Sequence, residues 1–560
     1  MDIKNLFSLG NFVPRTFEIG KKFPYSWESL AKDLVAGLTV GIVALPLAMA
    51  FSIAAGGSPA QGLYTAIFAG FFISLLGGSR YQIAGPTGAF VVIIFGVISR
   101  QGMEGLILAT LLAGLMLILM GLSGLGKLIK FIPYPVTTGF TTGIGLLIFS
   151  QQVKDFFGLQ IDKVSPEFFE KWTQYVENFP TLNPLTMAVG MGTIVVILLI
   201  RRFFPRIPAS VVGVTVATLG CYLLKLPVET IGSRFGGIPS SLPAPTIPAF
   251  HWSTIKAVFP DAFTIAMLAA IESLLSAVVA DGMTGDRHNA NMELVAQGVG
   301  NITSAIFGGI PATGAIARTA TNIKSGAQSP VSGMVHAITL LLFMIFLAPI
   351  ASVIPLASLS AVLMVVAWDM SEVHRFVRII KKSPRSDMMV LLTTFVLTVL
   401  IDLTVAVEVG VVLAAFLFLR RMVETAEIKL GTQNVGSELV YGSPEDQPHD
   451  MPRHPKDVEI YEITGPFFFG VADLLQDTLM TLEKKPRAFI LRMGQVPAVD
   501  TAGIAALESF LSYCRKHHIA LYLSEVREQP CKALERAGFI DSLGTTNLVA
   551  KVEDALEALK

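Results

Sequence analysis

The stretch Ile83-Ala-Gly-Pro-Thr-Gly-Ala-Phe90 decides how this chain is read. It is apolar enough to lie within a bilayer, yet its glycines and proline disfavour helix until Thr87 has passed. A second stretch, Gly308-Gly-Ile-Pro-Ala-Thr-Gly-Ala-Ile-Ala-Arg318, repeats the pattern. Each predicts extended backbone leading into a short helix that starts at membrane depth, which is tolerated only where protein buries it or a cavity is lined. A helix start carries unsatisfied N–H groups and a positive dipole end, so two starts aimed at one point favour an anion. Interrupted segments at matching positions of two halves mark a transporter's site. The plainer alternative is that these glycines only let helices kink or pack closely.

Working outward, the class follows from composition. The chain has 560 residues, 52% hydrophobic and 15% charged, against roughly 25% charged in a soluble domain. Apolar runs fall near 34–56, 62–77, 83–99, 104–123, 136–153, 184–200, 208–224, 262–280, 294–308, 313–328, 331–350, 354–369, 387–402 and 404–419. That predicts a polytopic α-helical membrane protein of about fourteen spans. If so, the Gly/Pro stretches open segments three and ten, the same place in two repeats of seven. The basic residues Lys127, Lys130, Arg201, Arg202, Arg206, Lys324, Arg375, Arg378, Lys381, Lys382 and Arg385 then share one side. By the positive-inside rule both termini are cytoplasmic and the site is the cell (inner) membrane. The long links 154–183 and 225–260 read as outer surface loops with little chemistry. No cleavable signal peptide is read in residues 1–32. The net charge of zero argues against a nucleic-acid partner.

Glu272 is the residue whose position most needs a reason. It sits in Ala269-Ala-Ile-Glu-Ser-Leu-Leu-Ser-Ala277, inside the otherwise apolar or small run 262–280. A carboxylate there is costly and usually marks an ion path, although one that pairs with a nearby cation can simply join two helices. Arg318 adds a permanent cation just inside segment ten, placed either to attract the anion or to pair with Glu272. His336 reads as a histidine hydrogen-bonded between helices rather than a proton relay. Asp33 marks a membrane interface, Asp402 at the boundary of two short spans is either a solvated cap or an ion ligand, and the run from Asp281 to Glu293 is a polar connection without catalytic spacing. The three cysteines, Cys221, Cys514 and Cys531, suggest neither a disulfide framework nor a zinc site. No phosphate-binding loop, nucleophile triad or metal cluster is found, so an ion gradient, not an enzyme reaction or a cofactor, is expected to drive the protein.

Past Arg421 the composition turns polar. Residues 422–456 read as a linker that begins with a helical extension. Strands are predicted at 458–463, 488–493 and 519–524, and helices at 471–482, 501–516 and 529–537, giving a small α/β domain over 457–560.

These residues carry a family resemblance. Pro46-Leu-Ala-Met-Ala-Phe51, Gly62-Leu-Tyr-Thr65, Gly85-Pro-Thr-Gly88 and Glu272-Ser-Leu274 resemble the SulP family of anion transporters, in that family's order. The C-terminal region resembles a STAS domain, most specifically at Val499-Asp-Thr-Ala-Gly-Ile504. The resemblance implies two inverted repeats of seven spans over 33–421, divided into core and gate domains, that work by an elevator-like displacement within a homodimer. It implies an anion site of Phe51, Thr87, Gly88, Ala89, Ala315, Ile316, Ala317 and Arg318, with Glu272 as the ion-coupling carboxylate. It also puts a regulatory phosphosite at Thr501, against the simpler reading of Asp500 or Thr501 as an unmodified N-cap, and a cytosolic partner on the STAS domain. Ala270-Ile-Glu-Ser-Leu-Leu, Asp281-Gly-Met-Thr-Gly285 and Ala312-Thr-Gly-Ala-Ile-Ala-Arg-Thr319 look most like the bacterial C4-dicarboxylic acid transporter branch. Proton-coupled uptake of succinate, fumarate or aspartate is therefore expected, because a proton neutralises a carboxylate in low dielectric and Arg318 suits a dianion. The alternatives are sulfate or bicarbonate transport, driven by H⁺ or Na⁺, and an anion sensor acting through the STAS domain.

Overall fold

The computed structural model describes residues 12–20, 25–127, 133–205, 207–246, 248, 251–401, 403–424, 427–430, 455, 457–468 and 485–560. Lys130, Arg206, Asp402, most of the expected linker and the helix expected at 471–482 lie outside them.

In chain order the membrane unit runs α1 (Trp27–Ala54), α2 (Pro59–Leu76), β1 (Ala84–Gly85), α3 (Gly88–Leu122), α4 (Tyr134–Phe157) and α5 (Phe168–Glu177). It continues α6 (Pro184–Phe203), α7 (Ala209–Leu224), α8 (Ile231–Phe235), α9 (Trp252–Thr284), α10 (Ala290–Ile306), β2 (Thr313–Gly314) and α11 (Ile316–Lys324). The last part is α12 (Val331–Ser352), α13 (Leu356–Met370), α14 (Val373–Lys382), α15 (Arg385–Leu400) and α16 (Leu403–Glu424). Among the described residues, seven helices are long and apolar enough to cross a membrane. The expected third and fourth spans form a single element, α3, broken at Gly102, whose φ of 67° interrupts the helix. The expected tenth span is only the nine-residue α11, because its first half is spent on extended backbone and β2.

Packing sorts the helices into two groups. α1, α2 and α3 pack with α9, α10 and α12, while α4 packs with α13 and α15, and α6 with α7 and α13. Small residues allow the close crossings. A Cβ on Gly298 of α10 would lie 2.5 Å from the Gly114 carbonyl oxygen of α3, so any larger side chain would push these helices apart.

Two acids of the first group do more than sequence suggests. Asp33, expected at an interface, is fully buried. It accepts from the Gln328 and Ser329 N–H groups at 2.6 and 3.1 Å, from the Ser329 hydroxyl at 2.6 Å and from Tyr25 at 2.8 Å. Glu293, expected in a polar connection, is also fully buried. It accepts from the Gly78 and Ser79 N–H groups at 2.9 and 3.1 Å and from the Gln297 amide at 3.0 Å, which clasps the turn before β1 to α10. Link 154–183 departs from its reading too. It contains the amphipathic helix α5, anchored on α4 by a cluster that includes Val153, Leu159 and Tyr175.

The C-terminal unit is a five-stranded sheet in the order β3-β4-β5-β6-β7. Its strands are β3 (Glu427–Leu430), β4 (Val458–Thr464), β5 (Ala488–Gln495), β6 (Ala520–Ser524) and β7 (Leu548–Val549). β4 to β7 are parallel, and β3 joins the edge antiparallel to β4. The segment read as linker therefore supplies an edge strand; Glu427-Ile-Lys-Leu430 alternates, but over only four residues, too few to announce a strand. The helices Thr501–Lys516 and Glu528–Arg536 fall where periodicity places them, over a core that includes Phe467, Phe489, Leu507 and Phe539.

Replacing Glu293 by Ala strands the Gly78 and Ser79 N–H groups, at a cost of about 2–4 kcal/mol. Thermal unfolding of the purified E293A protein is expected to begin several degrees lower than wild type. An unchanged midpoint would mean that the clasp contributes nothing.

Candidate anion-binding site

Two short strands build the centre of the membrane unit. β1 and β2 pair antiparallel, with Ala84 opposite Gly314 and Gly85 opposite Thr313, so that α3 and α11 both begin at this crossing. Thr87 and Ala315 occupy the N-cap positions in extended conformation, and neither side chain caps its helix. The first-turn N–H groups of both helices are thereby left without a side-chain acceptor.

The face of α9 presented to the crossing is polar. Ser273 shares a 2.7 Å hydrogen bond with the Thr313 hydroxyl and accepts from the Gly314 N–H at 3.0 Å. One turn on, Ser276 donates at 3.1 Å to the Thr319 hydroxyl, which also accepts from the Ile83 N–H at 3.0 Å. Asn301 of α10 brackets Ala312, donating to its carbonyl at 2.9 Å and accepting from its N–H at 2.8 Å. Thr65 of α2 accepts from the Ile310 N–H at 2.7 Å. Irregular backbone is thus satisfied by hydroxyl and amide side chains from four helices, α2, α9, α10 and α11, as low dielectric demands. Sequence reasoning missed Ser273, Ser276, Asn301 and Thr65. A polar residue every third or fourth position on apolar helices was the available signal.

Glu272 is half-buried and accepts from the Thr87 hydroxyl at 3.0 Å. Arg318 is 3% exposed; its Nη2 donates to the Pro86 carbonyl at 3.0 Å, while Nη1 has no hydrogen-bond partner among the described residues. Of the two roles open to Arg318, pairing with Glu272 is not the one seen among the described residues. A Cβ on Gly85 would lie 2.6 Å from Nη1, so that glycine makes room for the guanidinium. A Cβ on Gly88 would meet Met370 Sδ at 2.8 Å, Ile148 Cδ1 at 3.0 Å and the Phe51 ring at 3.2 Å. Phe51 from α1 therefore closes over the start of α3, and α4 and α13 face it.

The remaining expected residues divide by exposure. Ile316 is 44% exposed, Ala317 is exposed, and Thr87 and Ala315 are half-buried, whereas the Ala89 side chain is wholly buried. Ala89 thus has only its backbone to offer the crossing. His336 lies behind β1, buried, and neither ring nitrogen has a hydrogen-bond partner among the described residues; the interhelical bond expected of it is not made. In the C-terminal unit, Asp500 caps its helix by accepting from the Gly503 N–H at 2.8 Å, and Thr501 is exposed beside it. Among the described residues no group of His, Cys, Asp and Glu is arranged to hold a metal.

Comparison with known proteins fits this architecture. The sulfate permease family model matches residues 30–394, and a STAS domain model matches 451–555. The chain belongs to the sulfate permease family. It is 42% identical over 522 residues to the putative sulfate transporter YvdB of Bacillus subtilis, covering 93% of this chain and 96% of that one. It is 30% identical over 545 residues to the bicarbonate transporter BicA of Picosynechococcus, covering 95% of each. The fold superimposes on the murine solute carrier 26 family member A9 anion transporter with a TM-score of 0.86 at 18% identity, covering 98% of this chain and 94% of that one. The membrane unit thus has the fold of that transporter, and the C-terminal unit is a STAS domain.

Gly85→Ala displaces the Arg318 guanidinium without touching Glu272. It is expected to weaken anion-dependent thermal stabilisation of the purified protein on the order of tenfold, and an unaltered concentration dependence would separate Arg318 from the anion.

Proposed function

We propose that this chain is a secondary transporter of a small inorganic oxyanion, sulfate in the first place and bicarbonate in the second. The observation that carries the reading is the crossing: two helix starts without side-chain caps beside a buried guanidinium whose Nη1 has no partner among the described residues. Such a site offers backbone donors, dipole ends and a fixed positive charge to a compact anion. The names carried by the two relatives support this substrate class. The C4-dicarboxylate expectation has no support among them and gives way to the alternative.

In this reading the anion sits between the start of α3 (Thr87, Gly88, and Ala89 through its backbone) and that of α11 (Ala315, Ile316, Ala317), with Arg318 beneath and Phe51 alongside. Glu272, bonded to Thr87, carries the coupling proton. Protonation removes the cost of its charge as the loaded site moves, and Thr87 relays occupancy of one position to the other. The grouping of α1–α3 with α9–α12, apart from α4, α13 and α15, supports an elevator-like step in which the core group moves against the gate. A cell-membrane location with cytoplasmic termini and a dimer complete the proposal.

Uptake of radiolabelled sulfate into proteoliposomes tests it, with bicarbonate and succinate as competitors. Acid outside and neutral inside is expected to drive accumulation, because an inward proton gradient loads Glu272 from the side of uptake. Bicarbonate is expected to compete better than succinate. Glu272→Gln, fixed in a neutral form, is expected to keep anion exchange and lose the response to the gradient. Full gradient dependence in E272Q would remove Glu272 from coupling, and succinate as the preferred competitor would restore the dicarboxylate.

A further inference from the structure

The helix α14 joins α13 to α15 and takes no part in the crossing. Its ten residues, Val373-His-Arg-Phe-Val-Arg-Ile-Ile-Lys-Lys382, reach about 15 Å, roughly half the thickness of a bilayer core. A corner sets it off from α13. Glu372 takes a left-handed conformation with φ 41°, and the Ser371 carbonyl before it accepts from the Thr142 hydroxyl of α4 at 2.7 Å. Pro384 separates it from α15.

At about 100° per residue, the sequence divides α14 into three faces. Phe376 and Ile379 form the seam against the gate helices: Ile379 is buried, and the Phe376 ring meets that of Phe395 on α15 with centroids 5.3 Å apart. Beside the seam lie Val373, Val377 and Ile380, and here Val377 is 39% and Ile380 38% exposed. The remaining face carries His374, Arg375, Arg378, Lys381 and Lys382, all exposed, and exposed Arg385 follows. Acids nearby balance little of this charge. Glu372 pairs with Arg375 at 2.7 Å, Asp369 pairs with Arg201 at 2.7 Å, and Asp387 accepts from Ser386 at 3.3 Å. Arg378, Lys381, Lys382 and Arg385 have neither a carboxylate nor a hydrogen-bond partner among the described residues. The Arg201 pair also brings the end of α6, with exposed Arg202, beside the end of α13. Trp368 is exposed there, and such rings favour the headgroup level of a bilayer.

We propose that α14 lies in the membrane interface as a binding surface for anionic phospholipids, their phosphates held by Arg378, Lys381, Lys382 and Arg385. An open apolar strip beside an unbalanced basic face suits that position: Val377 and Ile380 enter the acyl boundary while the cations meet headgroups. The identity of the transported anion does not bear on this surface. Because α14 packs on α4 and α15, bound headgroups would hold the gate at one depth while the core moves, a consequence that, unlike the binding itself, rests on the elevator reading above.

The test uses the full chain with Trp368 as its sole tryptophan, Trp27, Trp172 and Trp252 being replaced by Phe. It is reconstituted in mixed phosphatidylcholine and phosphatidylglycerol vesicles in which one lipid or the other carries bromine on its acyl chains, and quenching of Trp368 reports which lipid sits beside it. At low ionic strength phosphatidylglycerol is expected to be preferred by at least about fivefold, the factor one cation supplies at an anionic surface. The preference is expected to vanish at about 1 M salt, where charges are screened within about 3 Å. Replacing Arg378, Lys381, Lys382 and Arg385 together by Gln is expected to abolish it, and Lys381→Arg with Lys382→Arg to preserve it. The salt dependence needs no change at α14 and decides the question by itself should the fourfold variant not fold. Equal quenching by the two lipids at low salt would give the basic face to water or to a protein partner and overturn the proposal. A preference that survives high salt, or the fourfold substitution in folded protein, would overturn it as well.

Discussion

The antiparallel pair of Ala84–Gly85 with Thr313–Gly314 is the contact on which the membrane unit depends. Two residues from each half satisfy each other's backbone at a depth where water cannot. Everything around them follows from that requirement. The segments before and after carry N–H and carbonyl groups that the short ladder cannot reach, and Ser273, Thr319, Asn301 and Thr65 meet them. Because these partners come from α2, α9, α10 and α11, satisfying the backbone also fixes the helices to one another. Within the group of α1–α3 and α9–α12, these helices are therefore tied together through this backbone.

The same constraint explains the chemistry at the crossing. Helix starts that are not capped by their own side chains leave donors and positive dipole ends facing one place. Arg318, tied by one nitrogen to Pro86, adds charge without being neutralised by Glu272. Glu272 takes its bond from Thr87 instead. In the proposed reading, anion and proton positions are then adjacent but separate, joined through a single threonine at the start of α3. That geometry lets occupancy of one position bear on the charge state of the other without a direct ion pair that would lock both.

Much of this was legible in the sequence, and the parts that were not share a cause. The paired Gly/Pro stretches fixed where extended backbone enters the membrane, and the run 262–280 singled out Glu272, because both break an otherwise uniform apolar pattern. Strands β4, β5 and β6 and the helices Thr501–Lys516 and Glu528–Arg536 followed from alternation and 3.6-residue periodicity. Asp33 and Glu293 are not told apart from solvated acids in the sequence, since a charge near a helix end or in a polar connection looks the same whether it faces solvent or is buried against a neighbour's backbone. Strand β3 hides in a polar linker because its alternation, Glu-Ile-Lys-Leu, lasts only four residues and its partner β4 lies far along the chain. Substrate class was the least legible property of all. The helix starts and Arg318 point to the sign of a ligand and not its size, and the relatives' names rather than the motif turn the reading from a dicarboxylate to an inorganic oxyanion.

The central claim is that the anion lies between the two helix starts. Selenate, a heavy stand-in for sulfate, locates it directly by the anomalous scattering of selenium in crystals of the protein grown with the ion. The account predicts a peak within hydrogen-bonding distance of the first-turn N–H groups of α3 and α11, near Gly88 and Ile316. An ordered selenate found elsewhere, with the crossing empty at saturating concentration, would contradict it.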